Sequence, residues 1–172
     1  MKNPKRPLPK KRRRAARGTL VAAALVLVSC ARAGGGVAAS PKPTPVSGPR
    51  VVLPSGKAIA VEVARTEEET SQGLMYRESM PEANGMVFVF KGEEIRPFWM
   101  KNCHFPLDMV YTLNDGTVVD VLRDVPPCAA DPCPNFPPKA PADTVLEVNA
   151  GVAPANGVAP GVKLRYVEVP GR

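Results

Sequence analysis

Histidine and tryptophan are each present once in this 172-residue chain, as His104 and Trp99. A single imidazole leaves a catalytic cysteine one choice of base and no replacement. No CxxC pair occurs, so the common dithiol redox motif is excluded. No Gly-rich phosphate loop and no alternation of strand and helix patterns is found, which argues against a nucleotide-binding α/β fold. The uncharged apolar stretch from Gly18 to Cys30 falls short of the ~20 residues that a permanent membrane helix needs.

Acidic residues are missing from the first part of the chain, where none precedes Glu62. The formal charge of +7 is therefore unevenly spread: nine of the 23 basic residues lie before residue 18, and the other 14 face 16 acidic ones. The body is close to neutral and shows no basic stripe with interleaved aromatics, so nucleic acid is not an expected partner.

The basic head has a different meaning. A positive segment, a short apolar run and then small residues are the parts of a secretory signal peptide. Leu27-Val28-Ser29-Cys30 resembles the lipobox of bacterial lipoproteins, in which the cysteine thiol carries diacylglycerol. The resemblance implies a signal peptide over 1–29, a lipidated Cys30 and a membrane partner reached through that lipid. Each buried CH₂ contributes roughly 0.8 kcal/mol, and more than one acyl chain makes the anchoring stable. Ala31 stands where an Asp would argue for inner-membrane retention, so the expected location is the outer membrane, facing the periplasm. A secreted protein cleaved near Ala33 is the alternative. Residues 30–49, rich in Gly, Ala, Ser and Pro, read as a flexible linker.

From residue 50 to 172 the pattern is mostly β. Val51–Leu53 and Ala58–Val63 flank the turn Pro54-Ser55-Gly56, a hairpin signal. Thr66-Glu67-Glu68-Glu69 is a capping box, opening a helix expected to reach Met75 or Arg77. Met86–Phe90 reads as a buried strand. Leu107–Leu113 and Thr117–Leu122, joined by Asn114-Asp115-Gly116, form the clearest hairpin. Val145–Val148 and Val162–Val169 complete the set. The expected architecture is a single compact β-barrel or sandwich-like domain of about seven to eight short strands with one helix.

Cys103, Cys128 and Cys133 remain in the body. The last two lie in VPPCAADPCPNFPPKAP, where prolines fill seven of the 16 positions from Pro126 to Pro141, so no central strand is expected there. In an oxidising compartment a Cys128–Cys133 disulfide is the expected state. A Cys₃His zinc site from Cys103, His104, Cys128 and Cys133 is the rival composition. Its CxxxxC spacing is loose, and Cys103 and His104 point apart on an extended segment. The same opposition weakens Cys103 as a nucleophile. No metal and no cofactor is expected.

GLMYR (Gly73–Arg77), MPEANGMVFVF (Met80–Phe90), FWMKNCHFPLDMVY (Phe98–Tyr111), PPCAADPCP (Pro126–Pro134) and LEVNAG (Leu146–Gly151) occur in that order. Together they resemble the domain of unknown function 192 family over about residues 50–169. The resemblance implies a compact, barrel-like β domain with a packed helix and no settled activity. Cys103 departs from the Thr usual in the family after WMKN.

Candidate ligand-binding residues are Arg77, Trp99, Lys101, Asn102, Asp108 and Glu147. On an extended strand Trp99 and Lys101 share one face, and Met100 and Asn102 the other. Asp108 and Glu147 sit on apolar strands and need partners, for which Arg77–Asp108 and Lys101–Glu147 pairs are expected. Three functions follow. The first is a non-catalytic small-ligand-binding or accessory module, with a polar pocket beneath Trp99 suited to a carbohydrate or another small polar ligand. The second is a carboxylate-based hydrolase using Asp108 and Glu147. The third is a protein-interaction module using the Pro-rich Cys loop.

Overall fold

The computed structural model describes residues 47–172. The proposed signal peptide, Cys30 and nearly all of the linker lie outside the described residues.

Nine strands form in chain order: β1 (Arg50–Val52), β2 (Ala58–Ala64), β3 (Asn84–Glu94), β4 (Phe98–Trp99), β5 (Leu107–Thr112), β6 (Val118–Val125), β7 (Asn135–Phe136), β8 (Ala142–Asn149) and β9 (Arg165–Val167). Two short helices accompany them, α1 (Glu67–Gln72) and α2 (Val152–Ala155). Seven strands make one sheet in the order β6-β5-β8-β3-β2-β1-β9, and β4 and β7 make a separate pair. Residues 161–164 bond back to the β5–β6 hairpin: the Val118 amide donates to Val162 O at 2.8 Å and the Leu164 amide to Gly116 O at 2.9 Å. These bonds bring the two ends of the curled sheet together, as in a barrel. Gly116 (φ +85°) is required there, because a Cβ would lie 2.3 Å from Leu164 O.

The barrel-like expectation thus holds, with two pieces that periodicity did not indicate. The β4–β7 pair is only two residues long on each side, too short to show alternation. Helix α2 is a single turn. Helix α1 begins as expected: Thr66 Oγ1 accepts from the Glu69 amide and Glu69 Oε2 accepts from the Thr66 amide. It stops at Gln72, earlier than expected, because Gly73 (φ +47°) turns the chain away. The last strand is also shorter than its apolar pattern, since 161–164 are spent on the barrel closure.

Side chains alternate across the sheet into two cores. One face carries Ile59, Val61, Val87, Val110, Leu146 and Val148, with Val51 and Val118. The other carries Met86, Phe88, Leu107, Met109, Tyr111 and Val145. That second face is covered by the FWMKN segment, the turn after α1 and the Pro-rich loop, which contribute Met100, Cys103, Leu74 and the partly buried Phe98, Cys128 and Phe136. All six residues of β5 are buried because it has a core on both sides.

Candidate functional site

Glu147 lies in the middle of that covered face. On β8 it stands directly opposite Met86 of β3 and Met109 of β5. It is only 4% exposed. Among the described residues its carboxylate makes no hydrogen bond and no ion pair. Burial alone pushes its pKa up to about 8, because the charged form has lost its water and gained nothing in exchange.

The Glu147 side chain reaches a pit of about 30 Å³, also lined by Phe88, Phe98, Trp99, Lys101 and Cys103. This is room for one water-sized group. The pit shares Thr70, Ser71, Phe98 and Trp99 with a broader cleft of about 380 Å³. Phe90, Ile95, Pro97, Glu94 and Arg96 form the rest of that cleft.

Phe98 fixes the wall between the two. Its ring meets Phe88, Phe90 and Tyr111 edge-on at 5.0, 6.3 and 6.0 Å, a favourable aromatic geometry. Phe98 and Trp99 pair with Phe136 and Asn135 of β7, so the Pro-rich loop positions the wall from outside. Trp99 itself remains 48% exposed. The Lys101 ammonium sits 5.6 Å from its ring, and 3.5 Å from Asp131. Trp99 and Lys101 therefore lie on one side, although Lys101 already belongs to the turn that follows β4.

Asn102 departs from that alternation. It adopts φ +54°, and the Tyr76 backbone, at φ +64°, does the same. The two lock together: the Tyr76 amide donates to Asn102 O at 2.7 Å and Asn102 Nδ2 donates to the Tyr76 hydroxyl at 2.8 Å. The extended segment ends at Trp99, and the turn carries Asn102 away from Met100, which is buried.

The expected ion pairs are replaced by others. Arg77 pairs with Glu62, its Nη2 lying 2.8 Å from Oε2, and this contact lowers the Glu62 pKa. Both line a neighbouring cleft of about 210 Å³. Lys101 pairs with Asp131 and leaves Glu147 alone. Asp108 needs no cation: Oδ1 accepts from the Asp124 amide and Oδ2 from the Ala153 amide, each at 2.9 Å. It thereby supplies the cap that α2 lacks, since Gly151 has no side chain to offer. Asp108 faces the same side as Val148, and Glu147 the opposite side. The two carboxylates share no cleft, which removes the geometry that the hydrolase reading requires.

Cys103 is buried, and burial, then the Glu147 charge, pushes its thiol pKa up to about 11. His104 points out and contacts Glu78 at 2.9 Å. Cys128 and Cys133 form a disulfide. Two of the four ligands in the zinc alternative are thereby used up.

Arg96 was not singled out by sequence. Its guanidinium stacks 4.5 Å from the centre of Phe90, and its buried Nε has no hydrogen-bond partner. Only its place beside Pro97 and FWMKN hinted at the cleft.

The family model of DUF192, described as Uncharacterized ACR, matches residues 50–166. The chain belongs to the DUF192 family. Its motifs are the elements just described: GLMYR and WMKN make the Tyr76–Asn102 lock, and LEVNAG carries Glu147. In the motif's Asn84-Gly85, a Cβ on Gly85 would lie 2.6 Å from the Glu147 carbonyl oxygen, so glycine at this place lets β3 approach β8.

Two solved structures are similar to this DUF192 chain. One is a protein of unknown function from Novosphingobium aromaticivorans DSM 12444, 33% identical, with a TM-score of 0.61 over 74% of this chain and 94% of that one. The other is a candidate transcription regulator from Sinorhizobium meliloti 1021, also 33% identical, with a TM-score of 0.60 over 70% of this chain and 93% of that one. The comparison with curated proteins finds no match.

Proposed function

We propose that this DUF192 domain is a non-catalytic small-ligand-binding module whose site is the cleft beneath Trp99 with Glu147 at its floor. The observation that carries the reading is Glu147: a buried carboxyl with no protein partner, reaching a pit that opens beside a half-exposed tryptophan. A buried polar group left unpaired costs free energy, and a ligand that satisfies it recovers that cost. Arg96, which lines the outer cleft, has a buried Nε donor without a partner. Catalysis is disfavoured because Asp108 faces the other side, Cys103 holds its proton tightly and His104 points away.

In this reading the lipid on Cys30 holds the module at the cell envelope, and the 30–49 linker carries it off the membrane surface. A carbohydrate suits an exposed tryptophan beside polar groups and is one ligand class to screen. The regulatory role attached to the Sinorhizobium meliloti protein is not carried over: outside the head, 14 basic residues are outnumbered by 16 acidic ones.

Thermal shift and Trp99 fluorescence against a panel of glycans and small polar metabolites test the proposal. A true ligand at 100 times Kd raises stability by about 2.7 kcal/mol and perturbs the single tryptophan. A panel that moves neither signal at millimolar concentration overturns it.

A further inference from the structure

The geometry points to an ammonium group as the ligand head that enters the pit above Glu147, with the rest of the molecule lying in the outer cleft along Trp99. This inference rests on the binding reading above and specifies its chemistry.

Three observations carry it. The pit admits a single water-sized group, so a sugar ring or carboxylate body cannot enter, whereas one nitrogen can. Its floor is a carboxyl that receives no donor from the protein, a group that an ammonium can both hydrogen-bond and neutralise once ionised. Its lining includes Phe88, Phe98, Trp99, Met75 and Cys103, aromatic and sulfur side chains of the types that favour a cation. The hydroxyl of Thr70, also in the lining, shares its one proton between Thr66 O and Glu67 O. Lys101, 5.6 Å from the Trp99 ring, is turned to Asp131 at 3.5 Å and leaves Glu147 without a cation. An N–H⁺ head supplies both the donors and the charge that Glu147 lacks.

Binding has a proton signature. The groups facing Glu147 are Cys103 from the FWMKN turn, Tyr111 from β5 and Lys101 at the rim. Burial, reinforced by the Glu147 charge, raises the pKa of both Cys103 and Tyr111, so neither yields a proton near neutral pH. Glu147 is the group that ionises when the ammonium arrives, and its proton leaves to buffer.

The experiment uses the full chain with three matched probes: phenethylamine, 2-phenylethanol and 3-phenylpropionate. Binding is read by the NMR shift of the Trp99 indole N–H and by calorimetry in two buffers of different ionisation enthalpy. The amine is expected to bind at least about tenfold tighter than the alcohol, equivalent to about 1.4 kcal/mol, with the carboxylate weakest. Near neutral pH, amine binding releases up to about one proton, and this release fades above the Glu147 pKa. Glu147→Gln abolishes the amine preference and the proton release. Equal amine and alcohol binding, insensitive to Glu147→Gln but lost in Trp99→Ala, overturns the ammonium assignment and leaves the binding site standing. No shift of Trp99 by any probe at saturating concentration overturns both.

Discussion

Asp108 and Glu147 lie on adjacent strands, one register step apart, and face opposite sides of the sheet. Asp108 spends both oxygens on backbone amides; Glu147 spends neither on the protein. Two buried acids in one apolar sheet thus have opposite consequences when replaced. Asp108→Ala leaves the buried Ala153 N–H and the part-buried Asp124 N–H unpaired and uncaps α2. At roughly 1–3 kcal/mol for each unsatisfied group, it should cost on the order of 3 kcal/mol in urea unfolding. A loss below about 0.5 kcal/mol, the range typical of surface substitutions, would show that Asp108 does not hold that corner.

Glu147→Gln should stabilise the protein, and increasingly so as pH rises. The folded protein keeps the Glu147 proton up to about pH 8, while an unfolded chain releases it near the ordinary value of 4.5. Between these values the folded state binds more protons, so stability falls as pH rises. The glutamine variant lacks this slope. Its advantage should be small at the lower end of the window and on the order of 3 kcal/mol at pH 8. Urea midpoints at several pH values, with unchanged m, provide the measurement; parallel curves for the two proteins would refute the claim.

The same pair marks how far the sequence could be read. Turn chemistry and capping exposed the β5–β6 hairpin and the start of α1, because Asn114-Asp115-Gly116 and Thr66–Glu69 act locally. Family motifs brought Arg77, Trp99, Lys101, Asn102 and Glu147 to notice. Partner choice was not legible. Arg77, in the connection that lets β2 and β3 run parallel, meets Glu62 of β2, and nothing local announces a parallel pairing. Asp108 finds Ala153 45 positions away. Sequence could show that these acids needed partners, and only register shows which one went without.

The Tyr76–Asn102 lock predicts an unusual order of substitution costs. Asn tolerates the left-handed region better than Ala, and Gly better than either. Asn102→Ala should lose the 2.8 Å side-chain bond and strain the backbone, about 2 kcal/mol together. Asn102→Gly should lose only the bond, about 1 kcal/mol. Tyr76→Phe should resemble the glycine variant. If Gly costs as much as Ala, the backbone conformation is not what this asparagine secures.

The Cys128–Cys133 bridge links the Pro-rich loop to the cleft. Cys133 lies two residues before β7, whose Asn135 and Phe136 pair with Trp99 and Phe98. A loop this short stabilises by about 2 kcal/mol through chain entropy, so the Cys128→Ser, Cys133→Ser double variant should lose about that much. The local effect is more informative. Without the bridge, β7 should fray from β4, and Trp99 should become more exposed, with red-shifted emission. Whatever probe the cleft binds should weaken accordingly, even though Glu147 is untouched. Should Trp99 emission stay fixed while global stability drops, then Phe98 packing among Phe88, Phe90 and Tyr111 holds the wall unaided, and the loop is only its cover.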